Sequence, residues 1–129
     1  MDKTAIAYLK GLRLAPRKVS LVASLVRGRK VAEALVILEH TPKRAAKPIA
    51  KVIESARSNA TNNHGLQEKD LIIQTIAVTA GERLKRYRPA AHGRALPFQR
   101  KSSNVRVVVA GTAKPKKTPK ASVKKEEVK

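Results

Sequence analysis

Glu82-Arg-Leu-Lys-Arg-Tyr-Arg-Pro-Ala-Ala-His-Gly-Arg-Ala-Leu-Pro-Phe-Gln-Arg-Lys101 holds seven Lys and Arg from Arg83 to Lys101 and no acid in that interval. It has no helical periodicity, and Pro89, Gly93 and Pro97 punctuate its middle. Upstream the pattern has a period of two: Ile72, Gln74, Ile76 and Val78 alternate with Leu71, Ile73, Thr75 and Ala77. Downstream, Val105 to Val109 is a second β-branched run. Two strands flanking a basic connection tipped with Pro and Gly predict a long hairpin. If both strands continue to the tip, about ten residues a side project past the body, a finger of ~30–40 Å at ~3.3 Å per residue. A two-stranded arm is marginal on its own in water, so a partner must order it.

Working outward, the N-terminal half reads as one strand and three helices. Thr4 to Lys10 alternates, with Ile6 and Tyr8 on one side and Ala5, Ala7 and Leu9 on the other. Pro16 suits a first helical turn, and Val19, Val22, Ala23 and Val26 follow at helical spacing until Gly28. A second helix is predicted from Val31 to His40, burying Val31, Ala34, Leu35 and Leu38. The third runs roughly from Pro42 to Asn63, with Ala45, Ile49, Val52, Ile53, Ala56 and Ala60 as its apolar face. An interior proline removes a hydrogen bond, so either this helix kinks at Pro48 or its continuous part begins near it. Asn62-Asn63-His64-Gly65 closes it with residues that tolerate left-handed geometry.

Composition narrows the function. The 129 residues carry 29 Lys and Arg against 9 Asp and Glu, a formal net charge of +20. A chain so charged repels itself and attracts polyanions. A membrane span is not predicted: the apolar stretch from Thr4 ends at Lys10, far short of the ~20 residues a span needs. Tyr8, Tyr87 and Phe98 are the only aromatics, too few for a base-stacking platform of the single-strand binders. Phosphate charge and shape must dominate, which points to a folded nucleic acid. There is no cysteine, and His40, His64 and His92 stand at no metal-ligand spacing. No Gly-rich phosphate loop is present, and Glu33 and Glu54 read as helical partners of Lys30 and Arg57. No enzyme, cofactor, metal or small-molecule substrate is expected.

The bases come in clusters: Arg13, Arg17 and Lys18; Arg27, Arg29 and Lys30; Lys43, Arg44, Lys47 and Lys51; then Arg83, Lys85, Arg86, Arg88, Arg94, Arg100 and Lys101. Several clusters with few acids predict a multi-sided nucleic-acid contact. Charge and a basic arm leave RNA and DNA both open, since architectural DNA proteins insert β-arms into the minor groove. Residues 1–111 are expected to form one domain, including a hairpin over about 80–103. Residues 112–129, rich in Lys with Pro115 and Pro119, are expected to be a disordered tail.

Four segments resemble the bacterial large-subunit ribosomal protein family twenty-two. They are Leu14-Ala-Pro-Arg-Lys-Val-Ser-Leu-Val-Ala-Ser-Leu-Val-Arg-Gly-Arg-Lys30, Ala50-Lys-Val-Ile-Glu-Ser-Ala-Arg-Ser-Asn-Ala-Thr-Asn-Asn63, Lys85-Arg-Tyr-Arg-Pro-Ala-Ala-His-Gly-Arg-Ala95 and Asn104-Val-Arg-Val-Val-Val109. The resemblance implies an α+β fold: three helices packed on a small antiparallel sheet, with a long protruding β-hairpin. It implies a cytoplasmic, structural role in the large ribosomal subunit. The partners would be 23S ribosomal RNA, neighbouring ribosomal proteins and, at the hairpin tip, the nascent peptide. Carried over, the tunnel-facing tip would be Arg88, Pro89, Ala90, Ala91, His92, Gly93, Arg94 and Ala95, with Ser102 joining the RNA-binding bases. Two departures stand out. The family usually has a base near Ala90 or Ala91, and its returning strand commonly begins Lys-Arg-Thr-Ser-His where this chain has Arg100-Lys-Ser-Ser-Asn104.

Overall fold

The computed structural model describes residues 3–112. In chain order its elements are β1 (Lys3–Leu12), α1 (Pro16–Val26), α2 (Val31–His40), α3 (Ala46–His64), β2 (Ile72–Pro89) and β3 (Ala95–Gly111). The strands form one antiparallel sheet in the order β1-β3-β2. The α+β architecture, with its long hairpin, is the expected one. The Lys-rich tail beyond Thr112 lies outside the described residues.

β3 is the central strand and its alternation is regular. Ser103, Val105, Val107 and Val109 are buried, whereas Arg106 between them is exposed. All three helices pack on the buried face. Val19, Val22, Ala23 and Val26 come from α1, Val31, Ala34 and Leu38 from α2, and Ile49, Val52, Ile53, Ala56 and Ala60 from α3. Leu35 is only half-buried. Leu66 and Leu71, in the connection from α3 to β2, are fully buried beside them. At ~25 cal/mol per Å² of apolar surface, these side chains supply most of the folding free energy. Among the described residues, the other sheet face carries no helix.

On β1 the small residues face inward. Ala5 and Ala7 are buried, while Ile6 and Tyr8 are 39% and 63% exposed. Small residues on both partners let α3, with Ala56 and Ala60, lie close along this strand, and Asn59 Nδ2 donates to the Ile6 carbonyl at 3.0 Å. Size alone would have favoured the opposite orientation.

Two further departures have local causes. α3 starts at Ala46, four residues later than Pro42, because the chain first turns on bonds from Lys43 N to Thr41 O (2.9 Å) and from Thr41 Oγ1 to Ile37 O (2.6 Å). Pro48 therefore falls in the first helical turn, where its missing N–H costs nothing, and no kink is needed. In β2, a bulge at Gln74 shifts the register between Ile73 and Thr75. Ile73 and Ile76, three apart, thus share the core face, and strict alternation fails.

The outer edge of β2 is covered in the body. Gly28 N–H donates to Ile73 O (3.1 Å), Ile73 N–H to Arg29 O (2.9 Å) and Val31 N–H to Leu71 O (3.0 Å). The Arg27 guanidinium covers the next site by donating to Ile76 O at 3.0 Å. Gly28, at φ +77°, provides the turn that lays this segment along the strand.

Truncating Ile53 to Ala, at a position with no exposure, should destabilise the protein by about 2–5 kcal/mol. Leu25→Ala, at a 48% exposed position, should cost less than about 1 kcal/mol. Urea unfolding midpoints of the two variants test this ranking, and equal losses would contradict the placement of the core.

Candidate nucleic-acid interface

β1 ends against β3 at the Leu12–Ser103 pair, and beyond it β2 and β3 continue alone. Their ladder runs from Arg83–Lys101 to Pro89–Ala95. From Gly81 to Pro89, at ~3.3 Å per residue, this arm reaches ~30 Å past the body. Its side chains are almost all exposed, including Leu84 (47%), Tyr87 (72%) and Leu96 (59%).

The base of the arm is clasped by short polar contacts. A second bulge in β2 lies between Ala80 and Arg83, and Ser102 Oγ donates to the Glu82 carbonyl across it at 2.6 Å. Gly81 allows this approach: a Cβ there would lie 2.7 Å from Ser102 Oγ. Asn104 Oδ1 accepts from Gly11 N–H at 3.1 Å, where β1 bulges between Leu9 and Leu12 and Gly11 takes φ +73°. Asn104, at the position of the resembled family's histidine, thus has its own bond to β1. Ser103 between them is fully buried, and its hydroxyl has no protein partner.

At the tip, Ala91–Gly93 forms a single 3-10 turn, closed by Ala90 N–H donating to Arg94 O at 2.8 Å. Gly93 takes a positive φ, at +68°, and His92 shares it at +61°. Only Gly93 was legible in advance, because a left-handed non-glycine residue leaves no compositional mark.

All fifteen Lys and Arg of the candidate set are exposed: Arg13, Arg17, Lys18, Arg27, Arg29, Lys30, Lys43, Arg44, Arg83, Lys85, Arg86, Arg88, Arg94, Arg100 and Lys101. Among the described residues the one ion pair is Arg57–Glu68, at 3.2 Å. The helical pairs expected for Glu33 with Lys30 and for Glu54 with Arg57 do not form, because Arg57 turns instead toward the connection after α3. The candidate bases therefore keep their charge free of carboxylate partners within the described chain. Some are oriented by other contacts. Arg29 Nε donates to Leu25 O at 3.0 Å, Arg86 to the Lys85 carbonyl at 2.8 Å, and the Arg88 guanidinium lies 4.9 Å from the Phe98 ring centroid.

The fold gathers these bases unequally. On the helix side of the arm base, Arg17 and Lys18 at the start of α1 join Arg83, Lys101 and Ser102 around a cleft of about 310 Å³. On the opposite side, Lys10 and Arg13 meet Arg100 beside Leu84 and Asn104, with Glu82 as the acid in that groove, and Lys101 and Ser102 border both clefts. Arg27, Arg29 and Lys30 lie apart from the arm, on the segment that covers β2. Lys43 and Arg44 line a different groove, between α2 and α3, with Lys47 and Lys51. Sequence reading missed Lys10, and it missed Arg106, whose guanidinium lies 5.7 Å from the Tyr8 ring centroid on the helix-free face. The signal for Arg106 was its position between buried valines. Among the described residues no His, Asp or Glu cluster could hold a metal ion, and no helix is long and apolar enough to cross a membrane.

Residues 7–110 match the family model for ribosomal protein L22p/L17e. Similar proteins include the large ribosomal subunit protein uL22 of Herpetosiphon aurantiacus, 49% identical over 105 residues that cover 81% of this chain and 93% of that protein. The uL22 proteins of Mesoplasma florum and Pediococcus pentosaceus are 44% and 45% identical. Those alignments cover 82% and 83% of this chain and 95% and 91% of the relatives.

Among the described residues the arm's ladder has neither a third strand nor a helix beneath it, so its amides should open locally at little cost. In the free protein, amides of Lys85–Arg88, Leu96, Phe98 and Gln99 should exchange much faster than those of Val105, Val107 and Val109. Hydrogen exchange reads this directly, and equal protection would show that the arm is stable by itself.

Proposed function

The chain belongs to the ribosomal protein L22p/L17e family and is a structural, non-enzymatic constituent of the large ribosomal subunit in the cytoplasm, and we propose that it binds 23S ribosomal RNA through its exposed bases and uses the arm to hold RNA segments together. The observation that carries this reading is the arm itself. It is a two-stranded ladder outside the hydrophobic core whose bases make no ion pair among the described residues. A two-stranded ladder is marginal by itself in water, and its unpaired bases favour a polyanion beside it. Each phosphate neutralised by a Lys or Arg releases condensed counterions, which drives binding without any sequence readout.

The clefts at the arm base place bases from α1, the end of β1 and both arm strands where RNA backbones could pass on either side. Arg17, Lys18 and Arg83 serve one side, Arg13 and Arg100 the other, and Lys101 with Ser102 borders both. Lys85, Arg86, Arg88 and Arg94 extend the contact outward. Arg27, Arg29, Lys30, Lys43 and Arg44 bind RNA around the body, which also meets neighbouring ribosomal proteins. The tip, Arg88 to Ala95, lines the nascent-peptide tunnel. The family resemblance supports this role, as do the tip's distance from the body and its small residues Ala90, Ala91, Gly93 and Ala95.

For the RNA contact, log affinity for 23S ribosomal RNA should fall with log salt by roughly 0.7–0.9 per neutralised phosphate. A flat dependence between low and physiological salt would refute the electrostatic mechanism. The tip and the arms should separate in cells. Replacing Pro89–Arg94 by an Asn-Gly turn removes Arg94 but leaves Arg83, Lys85, Arg86, Arg88, Arg100 and Lys101 in place, so incorporation into the subunit should persist while macrolide sensitivity or nascent-chain stalling changes. Exchanging Arg83, Lys85, Arg86, Arg100 and Lys101 for Ala should instead lower subunit occupancy, measured by quantitative sedimentation. The reverse pattern would overturn this division of labour.

A further inference from the structure

β3 contains no bulge: every register shift in the sheet falls in its partners, in β1 between Leu9 and Leu12 and in β2 at two places. Its inside–outside alternation therefore persists unbroken from the body to the tip, and directly paired residues share a face. This sorts the arm residues into two sets. Continuing the helix side of the sheet are the pairs Arg83–Lys101, Lys85–Gln99 and Tyr87–Pro97. Continuing the helix-free side are Leu84–Arg100, Arg86–Phe98 and Arg88–Leu96.

The two faces differ chemically. Both arm lysines lie on the helix-side face. Every charge among the three helix-free pairs is an arginine, and each arginine stands directly opposite an apolar side chain. Lysine is a compact point charge suited to a phosphate, whereas guanidinium is planar, weakly hydrated and stacks on flat π surfaces. Leu84 and Leu96, at 47% and 59% exposed, give a phosphate nothing to bind. A checkerboard of guanidinium planes and apolar side chains suits the flat faces of nucleobases. The face already holds planar groups against one another, with Arg88 4.9 Å from the Phe98 ring centroid and, on the body, Arg106 5.7 Å from that of Tyr8. Unpaired RNA bases are commonly read by stacking on aromatic rings or arginine planes.

We propose that the two faces of the arm take different parts of RNA: the helix-free face, through Arg86, Arg88, Arg100 and the apolar residues between them, stacks exposed bases, and the helix-side face, through Arg83, Lys85 and Lys101, takes backbone phosphates. This rests on the RNA-binding reading above and assigns the chemistry of each side. The arm is then a wedge between a base-presenting RNA surface and a backbone, and that asymmetry gives it one correct rotation about its long axis.

Exchanges on each face test the assignment in the full chain, with deproteinised 23S ribosomal RNA as the probe. The triple variant Arg86→Lys, Arg88→Lys, Arg100→Lys keeps every charge and removes only the planes. It should bind at least about tenfold more weakly than the parent, since stacking is worth about a factor of ten or more per base, and its salt slope should be unchanged. On the helix-side face, removing charge in Arg83→Gln, Lys85→Gln, Lys101→Gln should instead weaken binding together with a shallower salt dependence, by roughly 0.7–0.9 per lost phosphate contact. These exchanges lie outside the core, and unchanged amide protection of Val105–Val109 confirms that the body is intact. If the arginine exchanges are silent while the parent shows a steep salt dependence, the face assignment is wrong and the RNA reading stands. If the parent itself binds without salt dependence, the RNA reading fails and takes the assignment with it.

Discussion

The regular alternation of β3 is the constraint on which the rest depends. As the central strand it must satisfy β1 and β2 at once, and one residue of slip would turn Val105, Val107 and Val109 out of the core. All adjustment is pushed into the partners: the β1 bulge at Gly11, and the β2 bulges at Gln74 and Gly81–Glu82. Those bulges bend and twist the flanking strands while the spine stays in register. The arm's direction and the identity of its two faces are thus inherited from the packing of three valines in the body.

Stability and binding are kept in separate places. The body holds the apolar residues, and the arm contributes almost none of them to the core. Net charge of +20 opposes compaction, yet carboxylates beside the bases would neutralise the groups proposed to meet RNA. The fold leaves the candidate bases exposed and confines its one ion pair among the described residues to the connection after α3. The clasp of Ser102 and Asn104 at the arm base uses uncharged groups, so the junction is held without consuming a base.

Much of this was legible in the sequence because the signals were strong and local. Helical spacing identified the inward faces of α1 and α3, and Pro16, Gly28 and Gly65 marked boundaries through fixed φ or tolerance of positive φ. The hairpin followed from two β-branched runs around Pro89, Gly93 and Pro97. What was not legible depended on partners distant in sequence. The inward choice of Ala5 and Ala7 over Ile6 and Tyr8 reflects α3, some fifty residues away. The Gln74 bulge has no composition of its own. For the candidate site, cluster membership was readable but grouping was not. Nothing local says that Arg17 and Lys18 meet Arg83 and Lys101, or that Arg27 is spent partly on the Ile76 carbonyl.

The covering of β2 by residues 27–31 stops where the arm begins, and this matters for the protein before it reaches RNA. In the body, the N–H and C=O groups of that edge are occupied. Along the arm neither outer edge is paired among the described residues, leaving each a row of backbone groups able to add a strand from a second molecule. Two such arms meeting would form a four-stranded ribbon and begin an aggregate. The bases of the arm oppose that encounter, because bringing them edge to edge on two copies sets like charges a few ångströms apart. On the proposed reading, the charge that would draw the chain to RNA also keeps newly made copies from one another, and the protection lapses only when phosphates that neutralise it have filled the space a second arm would need.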